Sequence, residues 1–91
     1  MEQKTLRAID VNSPEVLKMI QCYRVGNISL EISRLLGITP TQALRLFCGS
    51  QTYIDFKNEQ TGLMHYSDIY VADEFLLEIR GERKLNISPW N

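Results

Sequence analysis

The chain has 91 residues, 44% of them hydrophobic and 23% charged, with a formal net charge of −1. That length suits one domain with one small core, and the composition excludes a disordered tether. The near-neutral balance lacks the basic excess with which a small nucleic-acid binder neutralises phosphates.

Residues 1–12 are weakly patterned: Leu6, Ile9 and Val11 fit either an extended segment or a helical turn. Ser13-Pro14 is a helix start, a hydroxyl cap followed by proline at the first position, where its missing N–H costs nothing. Val16, Leu17, Ile20 and Tyr23 recur at helical spacing, predicting a helix over Pro14–Arg24 that ends at Gly26-Asn27. A second helix is predicted over Ser29–Leu36, with Ile28, Ile32, Leu35 and Leu36 on one face and Glu31 and Arg34 turned away. Gly37 suits the left-handed position that closes it. Thr39-Pro40-Thr41-Gln42 then combines a cap, an N-terminal proline and a capping-box glutamine. Ala43, Leu44 and Phe47 carry that helix to Cys48, and Gly49 closes it.

Ser50 caps a further short helix containing Tyr53, Ile54 and Phe56. Lys57 to Gly62 is polar, with a turn at Thr61-Gly62, and Leu63 to Tyr66 reads as an extended connector. Ser67-Asp68 opens the last helix, with Ile69, Ala72, Phe75, Leu76 and Ile79 on one face, and Gly81 stops it. The tail from Glu82 to Asn91 is polar except for Leu85, Ile87 and Trp90. Period-two alternation never extends beyond three or four residues, so strands are not expected. The fold class is all-α, a small single-domain bundle of four to five short helices over residues 13–81, containing a helix-turn-helix-like pair.

No apolar run approaches the ~20 residues of a membrane span. No apolar stretch follows the N-terminus as it would in a secretion signal, so a cytoplasmic location is expected. Cys22 and Cys48 are too few and too distant for a disulfide framework or a zinc site, and read as free thiols. No cofactor is implied, because neither a Gly-rich phosphate loop nor a metal-ligand spacing is present.

The pair around Gly37-Ile38-Thr39 carries the first candidate site. Ser33 stands where helix-turn-helix turns favour a small residue, and Ile32, Leu36, Ile38, Ala43 and Leu46 fill expected buried positions. Thr41, Gln42 and Arg45 would face a DNA groove, Arg45 reading guanine and Gln42 adenine. Phosphate anchors nearby are limited to Arg34, Arg24 and Lys18. Residues 1–49 carry six basic and four acidic side chains (+2), and residues 50–91 four and seven (−3). DNA is therefore the second reading, with a dimer required for affinity.

His65 lacks an evident nucleophile, since Cys22 and Cys48 lie beside apolar stripes where thiols act as small hydrophobes. A non-enzyme is expected. Asp68, Asp73, Glu74, Glu78 and Glu82 read as a solvated helix face or a rim for a basic partner. Trp90 exposes costly apolar area if left in water. With Leu85 and Ile87 it either folds back on the domain or anchors in another protein.

From Ser29 to Phe75 the chain resembles a family of short bacterial all-α domains without an assigned activity. Gly37-Ile38-Thr39, Ala43 to Phe47, Ser50-Gln51-Thr52-Tyr53, Thr61-Gly62-Leu63 and Ser67-Asp68-Ile69-Tyr70 carry the resemblance. Such domains are often encoded beside toxin-like genes, including ones with ADP-ribosyltransferase-like folds. The resemblance implies an antitoxin-like or accessory protein that binds a co-encoded partner, and it supplies no catalytic residue. Self-association is a variant of the same reading, because a small core gains stability by pairing.

Overall fold

The computed structural model describes residues 13–83. Four α-helices succeed one another: α1 (Pro14–Leu36), α2 (Pro40–Cys48), α3 (Gln51–Lys57) and α4 (Asp68–Ile79). Two single 3-10 turns, Glu59–Thr61 and Leu63–His65, link α3 to α4. The protein is an all-α bundle, and among the described residues it contains no strand.

Each helix begins where side-chain chemistry places it. Ser13, Thr39, Ser50 and Ser67 stand in extended backbone, and their hydroxyls accept the amide N–H of Val16, Gln42, Tyr53 and Tyr70. Each cap satisfies a donor that the first helical turn leaves open. The capping box at Thr39 is complete, with Gln42 Oε1 accepting the Thr39 N–H at 3.0 Å. Gly37 ends α1 in the left-handed region, φ 68°. The amides of Gly37 and Ile38 both donate to the Ser33 carbonyl, and the Ser33 hydroxyl donates to Ile38 O. These bonds fix the three-residue link from α1 to α2.

The break expected at Gly26-Asn27 does not occur, and α1 runs unbroken for 23 residues. Gly26 keeps a negative φ. A glycine inside a helix costs only ~1 kcal/mol relative to alanine, less than ending the helix and leaving a second set of terminal groups to satisfy. Arg24, two residues before Gly26, also ties this stretch down. Its Nε donates to Asp68 Oδ1 at 2.7 Å, its two terminal nitrogens reach the carbonyls of Met64 and Tyr66, and its guanidinium lies 4.8 Å over the Phe56 ring.

The core draws on every helix: Ile28 and Ile32 from α1, Ala43 and Phe47 from α2, Phe56 from α3, Leu63 from the second 3-10 turn, and Val71, Ala72 and Phe75 from α4. Phe47 is its hub, meeting Tyr53, Phe56 and Phe75 edge-on at centroid distances of 5.5, 6.5 and 6.0 Å. Such edge contacts add to the burial of the rings themselves. Three apolar expectations are corrected. Leu36, at the last position of α1, is exposed, and so is Leu46, because Ala43 and Phe47, four apart, already present α2's buried stripe. On α4, Ile69 and Ile79 face solvent, because the buried face runs through Val71, Ala72, Glu74 and Phe75. Leu63 to Tyr66 is not an extended connector: Gly62, at φ 75°, turns the chain so that Leu63 is buried at the start of a 3-10 turn.

Two carboxylates lie within this packing, Asp55 of α3 and Glu74 of α4, and a single arginine neutralises both. Arg83 Nη2 stands 2.7 Å from Asp55 Oδ2, and its Nε 3.1 Å from Glu74 Oε1, with all three side chains largely buried. Removing one partner of a buried pair leaves uncompensated charge at a cost of about 3–5 kcal/mol. The sequence reading places Arg83 in the tail, but it clamps α3 to α4. Arg83→Ala is therefore expected to lower unfolding free energy by that amount in urea titration. Arg80→Ala breaks only the exposed pair with Glu82 and should change stability by less than about 1 kcal/mol.

Candidate functional site

A helix has one rotational phase, at 3.6 residues per turn. In α1, Val25, Ile28, Ser29 and Ile32 share the side that packs on the core. Val16, Ile20, Tyr23 and Leu30 fall on the opposite side. Because α1 does not break at Gly26, the amino-terminal stripe cannot rotate inward to join the core. Ile20 is 47% exposed, Tyr23 72% and Leu30 54%, with Met19 beside them at 69%. Single exposed apolar residues are unremarkable, but several along one side of a helix, interrupted here only by Asn27, mark a contact surface.

Grooves flank this row. One, about 690 Å³, runs between the first turns of α1 and the second 3-10 turn, where Leu17, Ile20, Arg24, Phe56, Met64 and His65 line it. Another, about 400 Å³, separates Tyr23, Gly26 and Leu30 from Pro40, Thr41 and Leu44 of α2. The walls are mainly apolar, with Lys18 and Glu59 at the rim of the first. Such a surface takes up apolar side chains and offers little with which to activate a substrate.

The residues singled out from sequence distribute as follows. Thr41, Gln42 and Arg45 are exposed on α2, as a recognition helix requires, but the Gln42 side chain is held in the capping box. Arg34 is exposed and paired with Glu31 three residues earlier. That pairing raises the guanidinium pKa through the hydrogen bond and charge of Glu31, and lowers that of Glu31 in return. Arg24, expected as a phosphate anchor, is instead consumed inside the fold by Asp68 and two carbonyls. His65 lines the larger groove, where no cysteine joins it. Cys22 and Cys48 are free, and both are exposed rather than buried as small hydrophobes. Leu85, Ile87 and Trp90 lie outside the described residues. Among the described residues no group of three His, Cys, Asp or Glu side chains is placed to hold a metal ion.

The acidic run is not one solvated face. Asp73 and Glu82 are exposed, but Asp68 holds Arg24, Glu74 holds Arg83, and Glu78 reaches across to α3. Glu78 accepts the amides of Gln51 and Thr52 at 2.9 and 2.8 Å and the Thr52 hydroxyl at 2.5 Å. With seven residues α3 is too short to persist alone, and the carboxylate satisfies its open amino-terminal donors. Sequence gave no sign of this, because the partners are 26 and 27 positions apart.

No protein-family model matches the chain, and no curated protein or solved structure is significantly similar to it. Among the described residues no helix is long and apolar enough to cross a membrane.

Burial works against the charge on Glu78, but the Thr52 hydroxyl, the two amides and nearby Arg83 outweigh it and hold the carboxyl below its usual range. A lowered folded pKa gives stability that is present above the unfolded value, ~4.3, and is lost as pH falls through the folded one. Glu78→Gln should therefore be less stable than the parent by about 1 kcal/mol at pH 7. In urea titrations repeated at decreasing pH, that difference should shrink below the unfolded pKa.

Proposed function

We propose that the chain is a small, non-catalytic protein-interaction module, accessory to a co-encoded partner in the manner of an antitoxin. The observation that carries this reading is the exposed apolar row on α1 with apolar-lined grooves on its flanks. An apolar anchor from the partner would enter the groove at Leu17, Met64 and His65, while Lys18 and Glu59 form a charged rim. Inhibition would be steric: the occupied segment of the partner is unavailable for its own activity. The resemblance over Ser29–Phe75 supports the same direction.

A second reading, a dimeric DNA-binding regulator, is favoured by the turn at Gly37-Ile38-Thr39 and the exposure of Thr41 and Arg45 on α2. It is weakened by the fate of its cations. Arg24, Arg34, Arg80 and Arg83 are each held by a carboxylate of the same chain, which limits what is left for phosphates.

One capture experiment separates the two readings. Tagged full-length protein, recovered from its native cells after nuclease treatment, is expected to carry a stoichiometric protein partner. Leu17→Glu, at a half-exposed groove position, should reduce capture at least tenfold with an unchanged helical spectrum. Removal of residues 85–91, beyond the Arg83 clamp, should weaken capture more than stability. Recovery of discrete DNA fragments without nuclease, lost in Arg45→Ala, together with no protein partner, would overturn the proposal in favour of the regulator.

A further inference from the structure

The outer row of α1 has a spacing that the split into two predicted helices concealed. Val16, Ile20, Tyr23, Asn27, Leu30 and Arg34 are separated by four, three, four, three and four residues. That is a seam repeating every 3.5 residues over nearly three heptads, the period of a two-stranded left-handed coiled coil. Ile20, Asn27 and Arg34 occupy one of the two seam positions, and Val16, Tyr23 and Leu30 the other. A β-branched residue at the first and leucine at the second favour two strands, and a single asparagine at the first fixes register and stoichiometry. Asn27 supplies that asparagine midway along the seam.

We infer that a second copy of this chain covers the outer face of α1, pairing Val16–Arg34 with itself in parallel and in register about a two-fold axis. Such a seam is self-complementary, as a two-fold interface requires. Each residue meets its own counterpart, and the Asn27 carboxamides satisfy one another as donor and acceptor. Arg34 closes the seam at its carboxyl end, where each guanidinium is already neutralised by Glu31 of its own chain. The core lies on the other side of α1, so Ile20, Tyr23, Leu30 and Arg34 of the seam are exposed, and Val16 and Asn27 are partly so.

Gly26 adds an independent observation. A Cβ built there meets nothing within 4 Å, so packing within the described protomer does not require glycine, although glycine weakens the helix. Gly26 borders the seam beside Asn27, where the absence of a side chain lets a partner helix approach closely. Val16, Met19, Ile20, Tyr23 and Leu30 from both copies would together bury on the order of 1,000 Å², the lower bound for a specific contact. The expected dimer is thus a weak, concentration-dependent one.

This inference deepens the reading of the chain as an interaction module by naming one partner as the chain itself. Sedimentation equilibrium of the full-length protein is the test, over concentrations from about 1 to 500 μM, where an interface of this size associates. The mass should rise with concentration from that of the 10.5 kDa chain to twice that value. Tyr23→Lys and Leu30→Lys, both at exposed positions, should weaken association at least tenfold with unchanged helix content. Asn27→Leu should release the stoichiometry, giving tighter and higher-order species. In a Cys22→Ser, Cys48→Ser background, Ile20→Cys and Asn27→Cys should each cross-link to its own counterpart under mild oxidation, whereas an antiparallel pair would bring at most one of the two together. A parent that stays monomeric throughout would overturn the inference, as would a dimer indifferent to both lysine substitutions or one in which either cysteine variant does not cross-link. A dimer without any captured partner would leave this seam standing and remove the antitoxin-like reading, so the two failures are distinguishable.

Discussion

A continuous helix cannot turn two differently phased apolar stripes toward the same core. α1 carries both, one centred on Ile28 and Ile32 and one on Ile20 and Tyr23, and its passage through Gly26 without a break decides which is buried. The carboxyl-terminal stripe joins Phe47, Phe56 and Phe75. The amino-terminal stripe is left on the outside, and the grooves, the seam and the proposed interaction all follow from that placement. Had the helix ended at Gly26, its first part could have folded back, and the outer surface would have been of a different kind.

The charged residues reinforce this division of labour. Arg83 neutralises two buried carboxylates, Glu78 serves the first amides of α3, and Arg24 ties α1 to the start of α4. Each substitutes for packing that so small a core cannot supply. Each also withdraws a charge from the surface, and Arg24 does so on α1, where Met19, Ile20, Tyr23 and Leu30 are exposed. Electrostatics here hold the fold together more than they advertise a ligand. A weak basic footprint and a marked apolar face are two results of the same economy of residues.

Much of the fold was legible because its signals are local. The hydroxyl caps at Ser13, Thr39, Ser50 and Ser67, the capping-box glutamine and the left-handed Gly37 each act within a few residues, and each stands where the sequence placed it. Gly26-Asn27 misled because glycine is cheap in a helix whose other side is anchored, and only the tertiary contacts of Arg24 and Ile28 reveal the anchoring. Arg83 and Glu78 read as tail and solvated face because Asp55, which Arg83 holds, and Gln51 and Thr52, which Glu78 caps, lie more than twenty positions away. The heptad spacing was present in the sequence, but assigning its residues to two helices interrupted the count. The outer-face site was thus visible as residues and hidden as a surface.

The central claim is the continuity of α1, and residue-resolved amide hydrogen exchange tests it most directly. In dilute protein, where self-association is minimal, the amides from Cys22 to Leu30 should exchange as one protected run, with Gly26 and Asn27 slowed alongside their neighbours. Fast exchange confined to Gly26 and Asn27, with protection on both sides, would mean two helices. It would contradict both the outward placement of Ile20 and Tyr23 and the interaction surface built on it.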